Sequence, residues 1–216
     1  MAIRKVGIIG SGAVGETLAD GFLKHGYEVL RASRDPRALD EWRARAGERA
    51  SVGTPAEAAA FGDAVVLAVK GTGAENAVRL AGNALAGKLV IDATNPISDE
   101  PPENGVLRYF TAMNGSLMER LQTLAPSARF VKAFSCVGSS QMVNPDFGGE
   151  RPTMFICGND AGAKEETTTI LDQFGWDTED VGGVEGARAI EPLAILWCAP
   201  GFLRNQWTHA YRVLRR

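Results

Sequence analysis

Gly10-Ser11-Gly12-Ala13-Val14-Gly15 separates a short apolar run, Val6 to Ile9, from a stretch with helical periodicity. In that stretch Leu18 and Phe22 fall on one helical face, and Gly26 follows as a helix stop. A G-x-G-x-x-G segment between a strand and a helix is typical of dinucleotide-binding folds. Its first glycine allows a tight turn, its second lets the backbone approach a diphosphate, and its third permits close helix–sheet contact. The alternative is a glycine-rich turn that serves packing alone.

The rest of the pattern predicts an α/β protein with a Rossmann-like, doubly wound and mostly parallel sheet. Apolar runs at 27–32, 63–69, 88–93 and 129–134 are expected strands, and Thr54-Pro55-Ala56-Glu57 is a capping box that opens a helix. A strand at 153–157, a helix at 160–174, a strand at 177–181 and a helical region at 184–214, with a break or kink at Pro200-Gly201, are expected beyond them. We therefore expect a dinucleotide-binding domain over residues 1–138 and a small, mainly helical C-terminal α/β cap over residues 139–216.

Composition excludes several classes of protein. The chain has 216 residues, 45% of them hydrophobic, and a formal net charge of −3, so it is neither disordered nor a nucleic-acid binder that works through bulk charge. No apolar run approaches the ~20 residues of a membrane helix, and the run after Arg4-Lys5 is too short for a signal peptide. Cys136, Cys157 and Cys198 have neither disulfide nor zinc spacing. We expect a cytoplasmic protein that binds no nucleic acid, no membrane and no structural metal.

The end of the second predicted strand distinguishes NADP from NAD. NAD sites usually place an acid there, about 20 residues past the glycines, to bind the ribose 2′-hydroxyl. Here the strand runs into Ser33, Arg34 and, slightly later, Arg37, groups that suit a 2′-phosphate because guanidinium binds phosphate bidentately. Asp35 is expected to belong to the turn with Pro36. The alternative is that the two arginines are a solvated turn.

Loops after the later strands should carry the remaining cofactor contacts, because ligands of open α/β sheets bind at the carboxyl ends of the strands. These loops begin at Ala68, Ala93 and Ala133. Lys70 could neutralise a phosphate or an anionic acceptor, or it could be an ordinary surface lysine. Asn95 suits a close approach of the cofactor's ribose and nicotinamide.

The glycine segment, Ala32-Ser33-Arg34-Asp35, Val69 and Asp92-Ala93-Thr94-Asn95-Pro96 together resemble the coenzyme F420-dependent NADP oxidoreductases. The same Rossmann domain occurs in the STEAP-type metalloreductases. The C-terminal part, from Phe174-Gly175-Trp176 onward, is also similar. The resemblance implies hydride transfer between NADPH and a deazaflavin, coenzyme F420, or a flavin-like acceptor, with Phe134 to Val137 approaching the acceptor. Together, spacing and resemblance predict cofactor contacts from Gly10, Ser11, Gly12, Ala13, Val14, Ser33, Arg34, Arg37, Ala68, Val69, Lys70, Ala74, Asn95, Pro96, Ala133 and Phe134.

Two positions depart from the archaeal members of that family. Lys70 stands where they have proline, and the segment after Ala133 lacks their histidine near the deazaflavin. No residue is assigned a catalytic role, since hydride transfer mainly requires orientation of the cofactor. The alternatives are an NADPH-dependent reductase of another small acceptor (an imine, a β-hydroxyacid or a chelated metal) and a non-catalytic NADP-binding sensor.

An acceptor cleft around Phe134, Cys136 and Trp176 would distinguish an enzyme from a sensor. A sensor could fill that space with side chains. A homodimer through the C-terminal helices is also expected.

Overall fold

Six parallel strands form the main sheet in the computed structural model, which describes residues 3–216. Their spatial order is β3-β2-β1-β4-β5-β6, so the chain first moves to one side of β1 and then to the other. This order confirms the predicted doubly wound α/β fold and places the reversal of strand order between β1 and β4. The strands are β1 (Lys5–Ile9), β2 (Glu28–Ala32), β3 (Ala50–Gly53), β4 (Ala64–Leu67), β5 (Leu89–Asp92) and β6 (Arg129–Lys132).

Helices cover both faces of this sheet. They are α1 (Ala13–Lys24), α2 (Asp40–Arg45), α3 (Pro55–Phe61), α4 (Gly71–Ala81), α5 (Leu117–Leu124), α6 (Ala161–Gln173), α7 (Ala187–Ile190) and α8 (Pro192–Arg204). Apolar residues of α1, α2, α6 and α8 pack on one face, and those of α3, α4, α5 and α7 pack on the other. The predicted capping box at Thr54 forms in both directions, with Glu57 as its partner.

A second, two-stranded parallel sheet continues the architecture. It consists of β7 (Thr153–Ile156) and β8 (Asp177–Asp180), joined by α6. The amide of Lys132 at the end of β6 donates to the carbonyl of Cys157, 3.0 Å away, so the two sheets meet edge to edge. The core on the α1 face runs without interruption across residue 138, and it includes Met154 and Phe174. The division into two domains at residue 138 stays a prediction.

The segment between β5 and α5 contains a hairpin that the sequence reasoning missed. Asn104 and Gly105 both have positive φ, and Glu103 and Val106 exchange two backbone hydrogen bonds of 3.0 Å around them. An Asn-Gly pair is the strongest short-range hairpin signal, because both central residues of such a turn need positive φ.

The C-terminal region is helical only as far as Arg204, so the prediction of helix up to Leu214 was wrong. Asn205 adopts the left-handed conformation, with φ 54°, which ends α8, and residues 205–216 have no regular secondary structure. Pro200 lies inside α8 rather than at a break. The segment 205–216 instead lies beside β7, where the amide of Thr153 donates to the carbonyl of Tyr211.

The last helix leaves apolar side chains on the surface. Leu196, Phe202 and Leu203 of α8 are all exposed. The expected homodimer through the C-terminal helices stays a prediction.

A buried cation joins the ends of β5 and β6 to the junction of α7 and α8. Lys132 is fully buried, and its Nζ lies 2.7 Å from Asp92 Oδ2 and 3.0 Å from Glu191 Oε1. It also donates to the carbonyl of Thr94. Burial disfavours the charged ammonium, but the two carboxylates outweigh burial and raise the pKa of Lys132. The Glu191 carboxylate in turn accepts the first amides of α5.

Replacing Lys132 by methionine should destabilise the protein by about 3–5 kcal/mol, because two carboxylates would remain buried without a cation. Urea unfolding followed by circular dichroism measures this change. Arg79→Met is the matched control, since Arg79 forms an exposed pair with Glu75 on α4 and should contribute less than about 1 kcal/mol. Similar losses in both variants would contradict the interpretation of Lys132 as a link between elements.

Candidate functional site

A cleft of about 530 Å³ opens at the carboxyl ends of β1, β2 and β4, where the strand order reverses. This is the position at which doubly wound sheets bind their ligands. Its walls are the glycine segment, the end of β2 and the first turns of α4. The lining residues are Ile9, Gly10, Ser11, Gly12, Ala32, Ser33, Arg34, Pro55, Ala68, Val69, Lys70, Thr72, Gly73, Asn76, Ala77 and Leu80.

Half of the predicted cofactor residues line this cleft, and the others lie around it or are buried. Those in the wall are Gly10, Ser11, Gly12, Ser33, Arg34, Ala68, Val69 and Lys70. Ala13 and Val14 begin α1, and Asn95 and Pro96 follow β5. Ala74, Ala133 and Phe134 are completely buried, and Arg37 is exposed. The structure therefore brings together the residues expected near the diphosphate and the adenosine ribose.

The sequence reasoning expected contacts from the loop that begins at Ala68 and from Ala74, but it missed that the first turns of α4 form a wall of the cleft. Thr72, Gly73 and Asn76 face the cleft from its first turns. The available signal was the pair Gly71 and Gly73 directly after a buried strand. A Cβ on Gly71 would lie 1.9 Å from the carbonyl oxygen of Asn95, so only glycine allows this helix to begin so close to the next strand.

The three glycines of the fingerprint differ in what requires them. A Cβ on Gly10 would lie 2.2 Å from the carbonyl oxygen of Ala68, and one on Gly15 would lie 2.4 Å from that of Gly10. Both are therefore required by the packing of the protein itself. A Cβ on Gly12 would meet nothing within 4 Å. Its missing side chain leaves open space beside the cleft, as a bound diphosphate requires.

Two helix N-termini converge on the cleft. Neither α1 nor α4 has a side-chain cap, although each begins at residues of the cleft wall. The first amides of a helix have no intrahelical acceptor, and the helix dipole places partial positive charge there. The cleft therefore presents two groups of backbone donors suited to an anion.

Two arginines, Arg34 and Arg37, follow the end of β2, and they differ in whether a carboxylate pairs with them. Asp35 accepts from the backbone amide of Arg37 and also pairs with its guanidinium at 3.0 Å, so it belongs to the turn with Pro36, as its sequence context indicated. Arg34 lines the cleft and forms no ion pair with any other residue of 3–216. Ser33, half-buried beside it, completes a pair of groups that suits a 2′-phosphate.

Arg31 is a buried cation that the sequence reasoning did not identify. Its side chain is 1% exposed and lies beneath the glycine segment, where it donates to the carbonyls of Gly10, Ser11 and Gly12 and pairs with Glu16. Burial lowers the pKa of the Arg31 guanidinium, and the Glu16 carboxylate opposes that shift. The ordinary value is so high that the group stays charged at neutral pH. The available signal was a charged residue in an otherwise apolar parallel strand.

The residues proposed to form an acceptor cleft are instead part of the core. The exposed fractions of Phe134, Cys136 and Trp176 are 0, 2 and 2%, and the ring of Phe134 lies 6.1 Å from that of Phe174. Burial raises the pKa of the Cys136 thiol to about 11, so it is no thiolate nucleophile at neutral pH. An enzyme was expected to have open space for the acceptor beside these three side chains, and they line no such space.

Unpaired polar atoms lie at the adjoining ends of β5 and β6. The side-chain amide of Asn95 donates to the carbonyl of Ser135 at 2.6 Å. The remaining atoms, Asn95 Oδ1 and Ser135 Oγ, are buried and have no hydrogen-bond partner within the described part of the chain. Buried polar atoms without partners are rare, so these atoms suit a ligand that brings its own donor and acceptor.

Lys70 is not free in the cleft wall. Its ammonium pairs with the carboxylate of Asp99, and both side chains are more than half exposed. An exposed pair of this kind contributes little to stability. Lys70 could therefore exchange Asp99 for an anionic ligand group at small cost.

Residues 3–216 contain no group of three His, Cys, Asp or Glu side chains placed to hold a metal ion. None of the helices described above is both long and apolar enough to cross a bilayer.

Comparisons with known proteins agree with this geometry. The sequence profile of the NADP oxidoreductase, coenzyme F420-dependent, family matches residues 5–96. A proposed F420-dependent NADP reductase from Arthrobacter sp. FB24 superimposes with a TM-score of 0.90 at 30% identity, covering 99% of this chain and 100% of that chain. An imine reductase from Myxococcus stipitatus in complex with NAD+ shares the fold, with a TM-score of 0.67 at 21% identity over 95% of this chain and 63% of that one.

Metalloreductases are among the curated relatives. The chain is 29% identical to metalloreductase STEAP3 of Rattus norvegicus over 206 residues, which is 92% of this chain and 39% of that protein. It is 25% identical to human metalloreductase STEAP2 over 90% of this chain and 37% of that protein. The chain thus spans about two fifths of the length of these relatives.

Alanine at Gly10 should destabilise the protein by at least about 2 kcal/mol, because the new Cβ collides with the backbone at Ala68 and neither strand can yield. Alanine at Gly12 should cost less than about 1 kcal/mol, since its Cβ enters open space and only the helix cap weakens. Thermal unfolding of the two variants measures the difference. Equal destabilisation would show that Gly12 also serves packing.

Proposed function

Because the chain belongs to the coenzyme F420-dependent NADP oxidoreductase family, we propose that it binds NADPH in this cleft and transfers a hydride to a deazaflavin or flavin-like acceptor. The observation that carries the proposal is the cleft itself. Two uncapped helix N-termini, the open space at Gly12 and the guanidinium of Arg34, which pairs with no carboxylate among residues 3–216, all face it. These groups match a dinucleotide that carries a diphosphate and a 2′-phosphate.

The protein's part in this reaction is binding and orientation. The bound nicotinamide supplies the hydride chemistry. The amides at the start of α1 and α4 would hold the diphosphate, and Ser33 with Arg34 would hold the 2′-phosphate. Asn95 Oδ1 and Ser135 Oγ, at the far end of the same strand edge, would hold the nicotinamide carboxamide. No side chain is assigned a proton transfer, in keeping with a reaction that needs mainly proximity.

The acceptor would approach from the solvent side of the loop that follows β6. The apolar side chains of this loop, Phe134 and Cys136, pack inward, whereas Ser140 further along is exposed. An open approach suits a large, flat acceptor better than a small molecule held in a closed pocket.

A second candidate is an NADP-binding sensor. The burial of Phe134, Cys136 and Trp176 favours it, because these side chains fill the space in which an acceptor cleft was expected. Reduction of a chelated metal, as the names of the curated relatives suggest, is a third outcome of the same test.

Anaerobic oxidation of NADPH, followed at 340 nm, tests the acceptor. Turnover with coenzyme F420 or FMN that greatly exceeds turnover with ferric citrate or no acceptor is the expected result. Gly12→Val is the control without a usable diphosphate site, and its turnover should be lost while its circular dichroism is unchanged. Tight NADPH binding without turnover on any acceptor would replace the enzyme by the sensor.

Replacing Arg34 by alanine should weaken NADPH binding by about 1–3 kcal/mol and leave NADH binding nearly unchanged, because only NADPH carries the 2′-phosphate. Isothermal titration with both cofactors measures the two losses. Arg37→Ala is the matched control, and its smaller effect is expected because Asp35 already engages that guanidinium. Equal losses for NADPH and NADH in Arg34→Ala would contradict the 2′-phosphate assignment.

A further inference from the structure

Arg31 occupies a buried position, where a charged side chain is energetically unfavourable. It is the fourth of the five residues of β2, with Ile8 of β1 and Val52 of β3 as its register neighbours, and it is 1% exposed. A buried charge is tolerated only when it is paired and hydrogen-bonded. Arg31 meets this condition in an unusual way, because most of its donors point at the backbone of one loop.

The guanidinium bonds three successive carbonyls of the glycine segment. Nε donates to the carbonyl of Gly10 at 3.2 Å, and Nη2 donates to those of Ser11 at 2.8 Å and Gly12 at 3.1 Å. Nη1 pairs with Glu16 Oε2 at 3.1 Å, and the group lies 5.3 Å from the ring centroid of Trp42. Glu16 and Trp42 thus hold the guanidinium in place, and the guanidinium in turn binds the loop.

Because each peptide unit is planar, these hydrogen bonds also fix the direction in which the neighbouring N–H groups point. In a planar trans peptide, C=O and N–H point in opposite directions. Since the carbonyls of residues 10, 11 and 12 point at Arg31, the N–H groups of Ser11, Gly12 and Ala13 point away from it. Ser11 and Gly12 line the cleft, and Ala13 is the first residue of α1, so its N–H has no intrahelical acceptor.

We propose that Arg31 is a positioning residue that aims the N–H groups of Ser11, Gly12 and Ala13 at the diphosphate of the bound dinucleotide. The inference rests on the proposed NADP site and adds the reason why its glycine loop is ordered before the ligand arrives. A preformed set of donors binds more tightly because the ligand need not order the loop. The buried positive charge would also attract the negatively charged diphosphate across the loop.

Ligand fragments separate this role from a merely structural one. 2′-Phospho-ADP-ribose contains the diphosphate and the 2′-phosphate, whereas adenosine 2′-monophosphate contains only the 2′-phosphate. In Arg31→Met, the affinity for NADPH and for 2′-phospho-ADP-ribose should fall at least about tenfold, while that for adenosine 2′-monophosphate should change less than about twofold. Equal losses for all three ligands, or no loss for any, would overturn the proposal.

Two further variants make the outcome decisive. Arg45→Met removes the other basic partner of Glu16 without touching any loop carbonyl, so its affinity for all three ligands should stay unchanged. Arg31→Lys keeps the charge but lacks the planar donor fork, and it should lose part of the diphosphate affinity with the same ligand pattern, even if Arg31→Met does not fold. If the unaltered protein binds neither NADPH nor 2′-phospho-ADP-ribose, the proposed function fails as well. If it binds both and the Arg31 variants do too, only this inference fails.

Discussion

The buried contact of Lys132 with Asp92 and Glu191 fixes the edge of the sheet on which the site is built. Asp92 ends β5, Lys132 ends β6, and Glu191 stands between α7 and α8. Because the ammonium has no access to water, the two carboxylates must stay close to it, and the three elements cannot move independently. Glu191 extends this constraint to α5 through the first two amides of that helix. The C-terminal part of the chain is thereby attached to the carboxyl edge of the sheet.

Two buried cations organise that edge from opposite ends. Arg31 bonds the carbonyls of the glycine segment, and Lys132 bonds the carbonyl of Thr94 in the loop that leads to Asn95. Arg31 is compensated by one carboxylate and three backbone carbonyls, and Lys132 by two carboxylates and one backbone carbonyl. Loops at a ligand site are usually mobile. In the glycine segment the carbonyls are held from below, and the amides of Ser11, Gly12 and Ala13 therefore point away from Arg31.

The division between a well-defined cofactor half and an undefined acceptor half agrees with the relatives. A proposed F420 reductase and an imine reductase share this fold, and a metalloreductase is similar in sequence, while their names point to different acceptors. A fold does not determine function, because function resides in the side chains placed on it. In this chain the inward packing of Phe134 and Cys136 removes the enclosed cleft that would have identified an acceptor by its shape.

The sequence by itself determined the parts of the structure that depend on neighbouring residues. The glycine fingerprint, the apolar strands β1, β2, β4, β5 and β6, the capping box at Thr54 and the turn at Asp35 all follow from local backbone and hydrogen-bond preferences. They were predicted in place, whereas β3 was not predicted. Only the tertiary structure decided where Arg31, Lys132 and Glu191 meet their partners, because those contacts join segments far apart in the chain. It also decided that Phe134 and Trp176 face the core. An apolar or charged residue has the same local preferences wherever it packs, so its burial and its partner are set by the elements that fold against it.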